Sequence, residues 1–382
     1  MTEISPGELR LPRHLLPADG RFGCGPSKVR PEQLDALLAS SHTLLGTSHR
    51  QPPVKRLVGE VRSGLTALFA LPDGWEIALG NGGTTVFWDA ASFGLVDRRS
   101  EHLVFGEFSA KFAEVCTTAP HLAAPRIVSG DPGDHPQAVA DAEIDLYALT
   151  HNETSTGVAM ELRRPAGAED ALVAVDATSA AGGLLWEPVE VDVYYFAPQK
   201  CFGADGGLWL AACSPGAVER IERIAAGDRW RPASLDLGIA LANSRLDQTY
   251  NTPAVSTLLL LVDQLRWMLD HGGLEWCAKR SQTSADHLYG WAGDRPWTTP
   301  FVSDPAKRSN VVGTIDLDAT LDAGKLSIAL RANGIVDTES YRKLGRNQIR
   351  IGMFPAIEPD DIEALTACID HLVTAHAEVL GT

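Results

Sequence analysis

Short apolar runs alternate with longer amphipathic stretches from Arg21 to about Val262. Six runs read as buried strands: residues 76–79 (EIAL), 103–105 (LVF), 146–149 (LYAL), 172–175 (LVAV), 193–196 (VYYF) and 208–211 (LWLA). Continuous apolar character suits strands covered on both faces, and the helical patterns between them predict an α/β fold with a mostly parallel sheet flanked by helices. A long helix is expected over 254–269, opened by Asn251-Thr252-Pro253. Beyond it the pattern changes. Strands are expected at 311–317 and 349–353, and helices at 325–333, ending at Gly334, and at 358–373. This divides the chain into an arm with three prolines (1–20), a large domain (21–265) and a smaller α+β domain (266–382).

A length of 382 residues is enough for two domains with sizeable cores. Asp and Glu number 49 against 33 Lys and Arg, a net charge of −16, which argues against generic nucleic-acid binding because phosphate contacts need a cationic face. The longest apolar run, TLLLLV at 257–262, meets Asp263 and Arg266 too soon to span a bilayer, so no membrane partner is expected. The first twenty residues lack a basic segment followed by an apolar one, so no secretory leader is expected. Cysteines 24, 116, 201, 213, 277 and 368 form no CxxC pair, which disfavours zinc and a disulfide framework and suggests reduced cytoplasmic thiols.

Three features carry candidate chemistry. IALGNGGTTVFWDAA (77–91) runs from a strand through glycines into a helix, so its free N–H groups can cradle a phosphate. A plain strand-to-helix turn reads the same way. In ALVAVDATSAAGG (171–183), four apolar residues deliver Asp176 to the carboxyl end of a strand, where open α/β sheets bind ligands, although such an aspartate also caps turns. In YYFAPQKCFG (194–203), Lys200 follows a β-rich run among uncharged neighbours. Lost solvation there would lower its pKa toward that of a nucleophile, whereas most strand-end lysines keep the amine in water. Together these are the three needs of pyridoxal phosphate: a lysine to carry it, a carboxylate for its ring nitrogen and a phosphate anchor.

GRFGCGPSKV (20–29), GTSHRQ (46–51), GNGGTT (80–85), HNETSTG (151–157), VDATSAAGG (175–183), FAPQKCFG (196–203) and TYNTPA (249–254) also carry a resemblance. The chain resembles the phosphoserine aminotransferases of class V, within the fold-type-I pyridoxal-phosphate enzymes, collinearly from about Gly20 to the C-terminal helix. The resemblance implies a large domain with a sheet of the seven-stranded type and a smaller C-terminal domain. It implies that Lys200 bears the cofactor and that Asp176 pairs with its ring nitrogen. Thr84, Thr85 and Gln199 would hold the phosphate, and Thr154 the ring hydroxyl. Phe108 would stack on the ring where the family often has tryptophan, losing the indole donor. Asn251 and Thr252 would reach the phosphate from the neighbouring subunit of a homodimer.

Against the acidic balance, YRKLGRNQIR gathers Arg342, Lys343, Arg346 and Arg350. A solvated basic edge is the plain reading. The resemblance implies that Arg350 clamps the substrate α-carboxylate, that His49 and Arg50 read its distal anion, and that Arg346 stands for the arginine of a later family His-Arg pair; Gly345 precedes it here, so which C-terminal cation meets the phosphate is open. The implied activity moves an amino group from L-glutamate to 3-phosphohydroxypyruvate, for L-serine synthesis. Some family members extend this to the four-carbon phosphohydroxy keto acid of vitamin B6 synthesis. A cysteine desulfurase would need a mobile cysteine on the small domain, and none lies between Cys277 and Cys368. Another class V transaminase would not need His49-Arg50 together with the C-terminal cations. A non-catalytic phosphate binder would not require Lys200.

Overall fold

In the computed structural model, which describes residues 4–381, all six expected strands fall in one seven-stranded sheet. Its order is Glu76–Asn81, Leu208–Cys213, Val193–Phe196, Leu172–Asp176, Leu146–Thr150, Ser100–Val104 and Arg126–Ser129. Only Leu208–Cys213 runs against its neighbours, so the other six strands point the same way. The seventh strand, Arg126–Ser129, was missed because it alternates half-buried and exposed positions and carries Ile127 to solvent at the sheet edge.

Side-chain alternation explains the layers. Val173 and Val175 point to one face of the sheet and Leu172 and Ala174 to the other, all of them buried. The first face is covered by helices Pro52–Leu68 and Val255–Asp270, which pack on each other. The second is covered by Gly83–Gly94, Glu107–Thr118, Pro215–Ala226 and Leu237–Ser244. Each fully buried aliphatic side chain contributes about 1.5–3 kcal/mol, which makes the central strands a stiff base for what projects from their ends.

A second core surrounds the antiparallel sheet Thr298–Pro300, Val312–Leu317, Gln348–Gly352, with helices Ala323–Arg331 and Pro359–Leu380. Position 265 falls inside the continuous helix Val255–Asp270. The next helix, Gly273–Gly293, gives Cys277 to the first core and Ala285, Leu288 and Trp291 to the second. The expected arm is laid against this second core, burying Leu9 and Leu11. The Leu11 N–H donates to Asn333 Oδ1 at 2.9 Å and the Ala18 N–H to Asp361 Oδ1 at 2.7 Å. Residues 1–3 of that arm and Thr382 lie outside the described residues. Among the described residues no helix is long and apolar enough to cross a membrane.

Candidate active site

Parallel strands end on one edge, so their C-terminal residues meet there. Thr150 lies beside Asp176, and Asp176 beside Tyr195, in register across three strands. These ends open into a cleft of about 500 Å³ between the two cores. Eight of the expected residues line it: Thr84, Thr85, Phe108, Thr154, Asp176, Gln199, Lys200 and Arg350.

Lys200 and Asp176 are both buried. Burial pushes the Lys200 amine down from its ordinary pKa, with the Asp176 charge opposing. Burial pushes the Asp176 carboxyl up, while hydrogen bonds from Thr178 and the Lys200 charge pull it back. The Lys200 Nζ donates to Thr154 Oγ1 at 2.8 Å, and Thr154 donates on to Ser179 Oγ at 2.8 Å. Asp176 accepts from the Thr178 N–H at 2.9 Å and from Trp88 Nε1 at 3.2 Å. Gly25 lies against the lysine stem at φ +134°, and a Cβ there would stand 2.7 Å from Lys200 Cε. Only glycine allows that approach.

The glycine turn ends in the helix Gly83–Gly94, capped by Gly82 at φ 111°. No acidic residue occupies its first turn, so its N–H groups face the cleft with their partial positive charge uncompensated. Thr84 Oγ1 and Thr178 Oγ1 share a hydrogen bond of 2.7 Å. Gln199 Oε1 is buried without a partner. This arrangement fits pyridoxal phosphate: an anion site at a helix end, an amine of depressed pKa, and a carboxylate on the neighbouring strand.

A buried acid organises the opposite wall. Glu153 of HNETSTG is fully buried and accepts from the N–H groups of Phe108 (3.1 Å) and Ser109 (3.0 Å), the Ser109 hydroxyl (3.0 Å), and the N–H and hydroxyl of Ser155 (3.1 and 2.7 Å). It thereby caps the helix Glu107–Thr118 and holds the Phe108 ring with its centroid 5.1 Å from Lys200 Nζ. Arg350 comes from the small sheet. Its Nη1 donates to the Thr154 carbonyl at 3.1 Å, its guanidinium lies 5.3 Å from the Tyr341 ring centroid, and its Nε is buried without a partner.

Five expected residues do not line this cleft. Asn251 and Thr252 are exposed and are tied to Asn81, whose Nδ2 donates to Asn251 Oδ1 (2.7 Å) and to the Thr252 carbonyl (2.8 Å). His49 Nδ1 meets Thr252 Oγ1 at 3.1 Å, and Arg50 bonds Gln248 and the Tyr250 carbonyl. The four residues thus form one surface rim. Arg346 lies outside the cleft lining: its guanidinium forks onto Asp316 and lies 4.6 Å from the Phe301 ring centroid. The turn at Gly345, in the left-handed region, carries it there.

Sequence reasoning missed Trp88, Thr178, Ser179, Glu153, Gly25, Lys111 and Tyr341. Helical spacing offered one signal, since Trp88 lies one turn after Thr84. Lys111 lay outside the quoted motifs, and the others sat inside them without a geometry to single them out.

The model of the family "Aminotransferase class-V" matches residues 131–363. The chain belongs to the class-V aminotransferases. A phosphoserine aminotransferase of Rhodococcus opacus is 59% identical over 364 residues, covering 95% of this chain and 98% of the relative. The solved phosphoserine aminotransferase of Cytophaga hutchinsonii superposes with a TM-score of 0.85 at 22% identity, over 92% of this chain and 99% of that one. The pyridoxamine-pyruvate aminotransferase of Mesorhizobium loti gives 0.82 at 21%, over 97% and 95%. At such identities the two structures show the shared fold-type-I architecture. Their different substrates mean that the fold of a class-V aminotransferase does not choose its substrate.

Proposed function

We propose that this chain is a homodimeric, cytoplasmic, pyridoxal-phosphate-dependent transaminase that moves the amino group of L-glutamate to 3-phosphohydroxypyruvate, giving O-phospho-L-serine and 2-oxoglutarate. The observation that carries the reading is the Lys200 amine, buried, of depressed pKa and 2.8 Å from Thr154, beside Asp176 and the helix end at Gly82. The name and 59% identity of the Rhodococcus relative favour the phosphorylated substrate. Six unpaired cysteines are in keeping with a reducing compartment.

Lys200 would bear the cofactor, Asp176 would face its ring nitrogen, and Thr84, Thr85 and Gln199 would take its phosphate. Thr154 would take the ring hydroxyl, and Phe108 would cover the ring. Asn251 and Thr252 would come to the phosphate from a second copy of the chain. When bound, the cofactor supplies an electron sink for the pair left at the substrate Cα.

The chain's own groups do the rest. The Lys200 Nζ, neutral more readily because it is buried, accepts the Cα proton and returns it one position along. Thr154 Oγ1 orients that amine. Trp88 Nε1 and the Thr178 N–H keep the Asp176 carboxylate aimed into the cleft. Arg350 holds the α-carboxylate through its unpartnered Nε and its Nη2, and Phe108 and Tyr341 exclude water from above. His49 and Arg50 of the second copy would read the distal anion. Single-turnover kinetics of each half-reaction test the assignment. Conversion with glutamate and with 3-phosphohydroxypyruvate is expected, and an enzyme that ignores the phosphorylated acid contradicts it. The four-carbon phosphohydroxy keto acid belongs in the same assay.

A further inference from the structure

Three cationic side chains line the cleft among the described residues: Lys111, Lys200 and Arg350. Lys200 is committed to the cofactor and Arg350 to the α-carboxylate. Lys111 stands three residues after Phe108 on the helix Glu107–Thr118, so both project from one face. Its Nζ lies 5.3 Å from the Phe108 ring centroid, and Lys200 Nζ lies 5.1 Å from the same centroid. One ring therefore lies beside both the reacting amine and a second cation of the cleft.

Lys111 is also free to move. Its only ion-pair contact among the described residues is Glu107, at 3.5 Å, and its side chain is 48% exposed. Glu107 has a second partner, Lys343, in closer contact. If Lys111 turns toward an anion in the cleft, the Glu107 charge stays compensated. Arg346 is forked onto Asp316, outside the cleft lining.

We propose that Lys111 is a specificity-determining residue, the cation of this cleft that donates to the phosphate of the phosphorylated keto acid. The inference rests on the substrate reading above and assigns it a residue. Glutamate ends in one negative charge, whereas the phosphate carries nearly two and presents a third oxygen. A compact ammonium on a flexible stem suits that extra oxygen.

The test uses the cofactor-loaded enzyme and the variants Lys111→Gln and Lys111→Arg in single-turnover kinetics. For Lys111→Gln, kcat/KM with 3-phosphohydroxypyruvate should fall about 10- to 100-fold, mainly through KM, with less than about threefold loss for glutamate. Lys111→Arg should recover most of the loss. Equal losses in both half-reactions, no loss in either, or an arginine variant as poor as the glutamine one overturns the assignment. Should the wild type itself ignore the phosphorylated acid, the substrate reading falls and this inference with it. A wild type that turns it over beside an unaffected Lys111→Gln defeats this inference alone.

Discussion

At the cleft floor, Lys200, Thr154, Ser179 and Asn152 are buried and bonded to one another in a chain, each within 2.9 Å of the next. The rim of His49, Arg50, Asn251 and Thr252 is built otherwise. Asn251 and Thr252 face solvent, and the rim is joined by a few long or exposed contacts. A floor of this kind is preorganised within a single chain, because most of its buried polar atoms already have partners and few, such as Asn152 Oδ1, are left open. A rim of this kind has its order still to gain. That difference matches a division of labour in which the floor holds cofactor and proton, and the rim serves a neighbouring copy in the proposed homodimer.

The largest effect should come from the floor. Lys200→Ala should lower turnover at least about a thousandfold while leaving thermal stability near that of the wild type, as read by steady-state rates and calorimetry. Substantial transamination by this variant removes the floor from the mechanism. Asp176→Asn should retain cofactor yet lose about 10²–10³ in kcat, since an amide cannot stabilise a positive ring nitrogen. A near-normal rate would assign that task elsewhere.

Glu153→Gln should act on both stability and rate. It leaves five buried donors facing a weaker acceptor, at a cost of about 1–3 kcal/mol in denaturant titration. The loosened Phe108 should lower kcat as well, and an unchanged midpoint would show that Glu153 does not cap the wall. Asn251→Ala with Thr252→Ala should weaken cofactor retention about tenfold in the dimer and leave Lys200 chemistry intact. Tight retention by a demonstrated monomer would end the idea of a shared rim. Arg346→Ala should be smallest. Loss of its half-exposed pair with Asp316 should cost no more than about 1 kcal/mol and change either half-reaction less than threefold.

Legibility in the sequence followed burial. Strands covered on both faces announce themselves as apolar runs, and all six such runs were readable. Arg126–Ser129, wet on one side, was not. Asp176 and Lys200 each had a bland explanation, a turn cap or a solvated amine, and stood out only in combination; both are buried in one cleft. Glu153 was hidden, since nothing in HNETSTG tells which polar side chain turns inward to cap a helix 46 residues upstream. The pairing of Arg346 was hidden, because its charge is visible in sequence, whereas its partner Asp316 lies on a neighbouring strand thirty residues earlier. Asp316 faces Gln348 there in the strand register.

The floor account stands most directly on one bond, that between the cofactor and Lys200. The decisive measurement is borohydride reduction of the cofactor-loaded enzyme followed by peptide mass spectrometry. A phosphopyridoxyl group fixed to the peptide containing Phe196-Ala197-Pro198-Gln199-Lys200 is the expected result. Its appearance on another lysine, or on none, would contradict the account.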